Sequence, residues 1–181
     1  MIRTVSSREV YRNAWMSVRE DDIRRPDGSE GVYGVVDKPD YALVIPQDED
    51  GALHLVEQYR YPVAGRYWEF PQGSWPAGHA GAPPLELARA ELREETGLRA
   101  ARMTYLGMVH VAYCNASRGC NVFLAEELTQ GPPEGEATEA DMRQRRAAPA
   151  EWRDLVRSGR ITDAATLAAY TLLDLHRGGA G

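Results

Sequence analysis

Apolar and polar residues alternate with a period near two through much of the first third of the chain, and turn-forming clusters interrupt the alternation. Val10 to Arg25 reads as one or two strands closed by Pro26-Asp27-Gly28-Ser29, and Gly31 to Val36 as another. Ala42 to Pro46 and Ala52 to Arg60 flank the turn Gln47-Asp48-Glu49-Asp50-Gly51, which predicts an antiparallel hairpin with a five-residue loop. An aromatic, strand-like run then ends at Glu69-Phe70-Pro71-Gln72-Gly73-Ser74. Beyond Pro83-Pro84, which suit the first turn of a helix, the period lengthens: Leu85, Ala88 and Leu92 form a stripe at i, i+3 and i+7. Met103 to Tyr113 and Cys120 to Ala125 read as core strands, and Gly131-Pro132-Pro133-Glu134-Gly135-Glu136 as a loop. Glu151 to Arg157 and Ala164 to His176 read as helices, the latter with Leu167, Tyr170, Thr171 and Leu175 at helical spacing. This order predicts an α+β protein in which residues 1–38 form a small N-terminal β subdomain and residues 39–181 the main domain.

A chain of 181 residues suits one domain with a small appendage. Hydrophobic residues make up 43% and charged residues 27%, as in ordinary soluble globular proteins. A net charge of −6 gives no long-range attraction to nucleic acid or anionic membrane, so neither is an expected partner. An anionic substrate would need local help from a divalent cation and a few arginines, Arg60 among them. Met1-Ile2-Arg3-Thr4-Val5 lacks the apolar run of a signal peptide, and no stretch reaches the ~18 apolar residues of a membrane span. Only Cys114 and Cys120 occur, without a CxxC; buried thiols are expected over a disulfide, in a cytoplasmic protein.

The densest chemistry lies in Ala90-Glu91-Leu92-Arg93-Glu94-Glu95-Thr96-Gly97-Leu98. Positions i, i+3 and i+4 share a helix face, so Glu91, Glu94 and Glu95 crowd together before Gly97 ends the helix. Two accounts fit that crowding. Solvent screens the charges on an open face, at ~0.2–0.5 kcal/mol per like-charged pair, or a hard divalent cation neutralises them.

Preceded by the strand-like run at Glu69 and a Gly/Pro-rich loop, this segment resembles the Nudix box, Gly-x5-Glu-x7-Arg-Glu-U-x-Glu-Glu-x-Gly-U with U bulky and apolar. Glu91, Leu92, Glu94, Glu95, Gly97 and Leu98 fall on the pattern. The first half departs from it: counted from Gly73, the loop through Pro84 runs about three residues longer than the pattern allows, Ala82 stands at the register position of the first glutamate, and Ala90 replaces the arginine. Arg89 and Glu86 are the available substitutes for that bracing pair. The stretch from Val56 through Arg60 to Val63, with Trp68-Glu69-Phe70-Pro71, is similar to the region before the box in ADP-ribose pyrophosphatases and related nucleoside-diphosphate-sugar hydrolases. Ser158 to Leu167 is similar to the segment leading into the last helix of the same enzymes.

The resemblance implies a Nudix-type α/β/α sandwich with a mixed sheet, and metal-dependent hydrolysis of the diphosphate linkage of a nucleoside diphosphate derivative. ADP-ribose or another nucleoside diphosphate sugar is the implied substrate. Mg2+ is the implied cofactor, with Mn2+ a possible substitute. Glu91 and Glu95 would be the first metal ligands, with Glu94 and the backbone carbonyl of Gln72 supporting them. Glu94 also joins the catalytic set, together with a general base outside the box; Glu134, Glu136 and Glu139 are the candidates, Glu139 favoured, with plain loop charge as the competing account. The substrate-binding set comprises Arg60, Glu69, Trp15 and Tyr33, the aromatics to stack on a base. Packing of Arg60 over Tyr59 and Tyr61, or of the aromatics in a core or interface, are the alternatives. Asn115, Ser117 and Arg118 occupy a loop where either substrate selectivity or ordinary turn chemistry could reside. The N-terminal strands imply a homodimer. The departures at Ala82 and Ala90 leave open a Nudix-fold nucleotide-binding protein with little or no turnover.

Overall fold

Every residue of strand β4 (Tyr41–Pro46) is buried, so this one strand serves two apolar layers. Ala42 and Val44 pack with Leu87, Ala88, Leu92 and Phe123 on one side, whereas Leu43 and Ile45 pack with Leu55, Phe70, Trp152 and Leu173 on the other. The computed structural model describes residues 1–75, 83–132, 134 and 141–178. Three sheets account for its strands. The N-terminal sheet holds β1 (Arg3–Arg12), β2 (Ser17–Arg24) and β3 (Glu30–Asp37), all antiparallel. A mixed sheet has the order β7-β4-β9-β8, with β7 (Gln72–Gly73), β8 (Leu98–His110) and β9 (Gly119–Gln130); β4 and β9 are parallel, the other pairs antiparallel. The third sheet, β10-β5-β6, joins β5 (Leu53–Arg60), β6 (Gly65–Glu69) and β10 (Arg143–Ala147).

Helix α1 (Pro84–Thr96) covers one face of the mixed sheet. It begins on the two prolines and ends at Gly97, whose φ of 72° and N–H to the Arg93 carbonyl at 2.9 Å form a left-handed cap. Helices α2 (Pro149–Arg157) and α3 (Ala164–Gly178) close the other core with the third sheet. A stack of rings ties them together: Phe70 lies 5.1 Å from Trp152, and Trp152 lies 4.5 Å from Tyr170. Helices therefore flank a mixed sheet, as expected.

Several local expectations are corrected. β4 and β5 do not form a hairpin; they share one bridge, Gln47 with Leu53, and then enter different sheets. Both edges of β4 are already taken, by β7 and by β9. β1 begins well before Val10, because its ten residues are all exposed and carry no burial pattern to read. β8 starts directly after Gly97 and stops at His110, short of Tyr113. Both cysteines are unpaired as expected, yet Cys114 is exposed while Cys120 is buried.

Candidate active site

Helix α1 turns its leucines to the sheet, and the same rotation carries Glu91 and Glu95 beneath β7. Both side chains are nearly out of solvent, Glu91 at 8% exposure and Glu95 at 5%. The N–H of Gln72 donates to Glu95 Oε2 at 3.2 Å. Gly73 lies so close to Glu91 that a Cβ built on it would stand 2.4–2.5 Å from the carboxylate atoms. The absent side chain is what lets that carboxylate lie against the strand. Glu94, on the same helix, is one third exposed and 3.8 Å from Arg93.

Above β7 opens a cleft of 510 Å3 lined by Arg60, Glu69, Gln72, Gly73, Arg118 and Asp163, among others. Glu69 is buried and accepts from Gln58 Nε2 at 2.9 Å and from Arg60 through two nitrogens, one of them at 3.2 Å. Burial raises its pKa, and the adjoining Arg60 opposes that rise. Asp163 caps α3 by accepting from the Thr166 N–H at 2.8 Å, and its same oxygen accepts from Gln72 Nε2 at 3.2 Å. Sequence reasoning missed Asp163. Its signal was the N-cap pattern Thr162-Asp163-Ala164 ahead of an apolar helix, but the cap's place in the cleft depends on a fold contact 91 residues away in sequence.

A second cleft of 760 Å3 lies between the N-terminal sheet and the main domain, lined by Trp15, Lys38, Ser74, Trp75 and Arg118 among others. Trp15 is thus in a cleft, exposed, beside a different wall from Arg60. Tyr33 lines neither of these two clefts; its hydroxyl donates to the Cys114 carbonyl at 2.5 Å. Glu134 stands between Arg93 and Arg99, 2.7 Å from each. Arg89 donates to the Ala100 carbonyl at 3.1 Å, turned toward β8, and Glu86 is exposed in the first turn of α1. Glu136, Glu139 and Ala82 lie outside the described residues.

Carboxylate and backbone oxygens are the donors a hard divalent cation prefers. Among the described residues no three His, Cys, Asp or Glu side chains stand together at metal-binding separation. The fit to such a cation rests on the two buried glutamates and on Gly73, whose missing Cβ lets the Glu91 carboxylate lie beside the β7 backbone. No helix among the described residues is long and apolar enough to cross a membrane.

Known proteins give this geometry a context. The profile of the nucleoside diphosphate sugar hydrolase N-terminal domain matches residues 2–36, and that of the NUDIX domain matches residues 37–156. The chain is 34% identical over 140 residues to an ADP-ribose pyrophosphatase of Mycobacterium tuberculosis, covering 77% of this chain and 67% of that protein. It is 27% identical over 127 residues to an ADP-ribose pyrophosphatase of Bacillus subtilis, covering 70% and 67%. The crystal structure of an ADP compounds hydrolase superposes with a TM-score of 0.86 over 99% of this chain and 96% of that one, at 24% identity, a likeness of fold. A domain match over most of the chain, joined to an acidic helix of the matching pattern, makes this protein a member of the Nudix family.

Proposed function

We propose that this Nudix pyrophosphohydrolase splits the diphosphate linkage of a nucleoside diphosphate sugar, with ADP-ribose the favoured substrate. The observation that carries the reading is the pair of buried glutamates, Glu91 and Glu95, held against Gln72 and Gly73 beneath the cleft that Arg60, Glu69, Arg118 and Asp163 line. Adjacent buried carboxylates repel, and a divalent cation relieves the repulsion. The names of the two pyrophosphatase relatives support the substrate class.

Mg2+, or Mn2+ in its place, would be held by Glu91 and Glu95 with help from Glu94 and the Gln72 carbonyl, and would supply charge neutralisation at the phosphoryl oxygens and a more acidic water. Glu139 would be the general base toward the attacking water, with Glu94, the least buried of the three helix glutamates, in the catalytic set through its support of the metal. Arg60, steered by Glu69, offers its charge to a phosphate oxygen. Trp15 stacks on the base in the second cleft, and Tyr33 steadies that wall through Cys114. Residues 1–38 serve as the dimerisation unit of a cytoplasmic homodimer: Val5, Val10, Tyr11 and Val32 are exposed on the N-terminal sheet. Residues 39–181 carry the catalysis.

A panel of nucleoside diphosphate sugars, dinucleoside polyphosphates and nucleoside triphosphates tests the reading. ADP-ribose with Mg2+ should yield AMP and ribose 5-phosphate in equal amounts, and chelation should stop the reaction. Absence of metal-dependent monophosphate release from every nucleoside diphosphate sugar would overturn it, and tight nucleotide binding without turnover would put the binding-protein reading in its place.

A further inference from the structure

Lys38 is the chain's only lysine, and it stands beside Arg118 in the wall of the second cleft. Neither side chain forms an ion pair among the described residues, although the chain is acidic and most arginines near the clefts have carboxylate partners. Arg118 also lines the first cleft, so its guanidinium belongs to the partition between the two. It lies 3.9 Å over the Tyr41 ring and donates to Ser74 Oγ, while its buried Nε has no hydrogen-bond partner among the described residues.

The loop that carries Arg118 is fastened on both sides. The N–H of Val36 donates to the Asn115 carbonyl at 2.8 Å, Ser117 Oγ donates to Asp37 at 2.9 Å, and the N–H of Gly119 donates to Asp40 at 2.6 Å. The cation is therefore positioned before any ligand arrives, which lowers the ordering cost of binding one. Lys38 is exposed to the cleft, and partial desolvation followed by the Arg118 charge lowers its pKa. Two like charges share this wall, one with an unused donor; the nearby carboxylates are engaged elsewhere, Asp37 by Arg19 and Ser117 and Asp40 by the Gly119 N–H, although the Asp40 charge does reach Arg118.

We infer that Arg118 and Lys38 form an anion subsite in the partition between the clefts, which seats a phosphoryl group of the substrate and sets which side of the diphosphate faces Glu91 and Glu95. The substrate part of this inference rests on the function proposed above; the anion part does not.

Because Lys38 is the sole lysine, an amine-selective reagent reports on it beside the N-terminal amine alone. The full-length protein is treated with trinitrobenzenesulfonate under EDTA, with and without inorganic pyrophosphate, and the adducts are mapped by mass spectrometry. At ten times its Kd, pyrophosphate should slow labelling of Lys38 about tenfold by mass action and leave the N-terminal amine unchanged. Arg118→Met and Lys38→Met should each weaken pyrophosphate and AMP binding by roughly ten- to a hundredfold in calorimetry, with adenosine unaffected. Arg118→Lys should restore most of the loss, which a residue that merely packs on Tyr41 would not do. Equal labelling with and without pyrophosphate in the wild type overturns the inference. So does an Arg118→Met variant that is less stable yet binds pyrophosphate and AMP normally. Protection of Lys38 in a protein that hydrolyses no nucleoside diphosphate sugar upholds the subsite and refutes the proposed function.

Discussion

Replacing Gly73 with alanine separates stability from catalysis. A Cβ at this position would stand 2.4 Å from Glu91 Oε1, whereas ordinary van der Waals contact begins near 3.4 Å, so the carboxylate must retreat by about 1 Å. The atom that moves is the far end of a flexible side chain, so the backbone pairing of Gly73 with Ala42 survives. Gly73 is not in the left-handed region, and loss of glycine's unfolded-state freedom contributes ~0.4–1 kcal/mol in favour of the variant. That gain offsets the cost of rearranging Glu91, and Tm should stay near the wild-type value. Activity should not: a reacting group misplaced by about 1 Å costs on the order of a hundredfold. Thermal unfolding followed by circular dichroism, together with kcat and KM for ADP-ribose across a Mg2+ titration, reads both quantities. A variant with kcat within threefold of wild type would refute the claim that the missing Cβ is there for the Glu91 carboxylate. A steep fall in Tm would refute the claim that only the carboxylate yields.

Glu95→Gln should fold normally and lose at least about a hundredfold in turnover, since even residues behind metal ligands cost 10–100-fold; near wild-type kcat across a Mg2+ titration would sink the assignment. Asp163→Ala removes the cap on the Thr166 N–H and the partner of Gln72, and should lower stability by ~1 kcal/mol in urea unfolding; no change in the midpoint would show that the cap is replaceable. Full-length protein should sediment as a dimer at micromolar concentration, and removal of residues 1–38 should give monomeric or insoluble protein; a monomeric full-length chain would end the dimer proposal. With Ellman's reagent at pH 8 one thiol should react quickly, exposed Cys114, while Cys120 waits for denaturant, because burial pushes its pKa up to about 11. Two fast thiols in the native protein would contradict its burial.

What could be read from the chain beforehand was what depends on short-range chemistry. Helix α1 announced itself by apolar spacing, by prolines at its start and by Gly97 at its end, all within one segment, and the grouping of Glu91, Glu94 and Glu95 on one face follows from that helix alone. The misread hairpin shows the converse. A turn between two apolar strands looks the same whether they pair along their length or part after one bridge, and β9, which claims the edge of β4, is some seventy residues away. β1 escaped because an all-exposed strand has no apolar face to alternate. Cys114 was expected inside, yet it sits in the loop that Tyr33 and Val36 fasten to the N-terminal sheet, a contact no local pattern encodes.

The two walls of the site are joined through a single core strand. Ala42 on β4 pairs with Gly73, which fixes where Glu91 lies, and the neighbouring Tyr41 carries the Arg118 guanidinium on its ring. Adjacent Cα atoms are about 3.8 Å apart, so the acidic and basic walls are registered to each other by one peptide unit and not by loop contacts alone. Lys38 precedes that strand by three residues, on the segment that joins it to the N-terminal sheet. A shift of β4 along its parallel partner would move both walls, and the pairing from Tyr41↔Cys120 to Pro46↔Ala125 resists such a shift, because every side chain on β4 is buried and a one-residue slip would exchange its two apolar faces. The core of this protein thus holds the spacing between opposite charges constant, the property an enzyme acting on a short, doubly charged linkage requires of its scaffold.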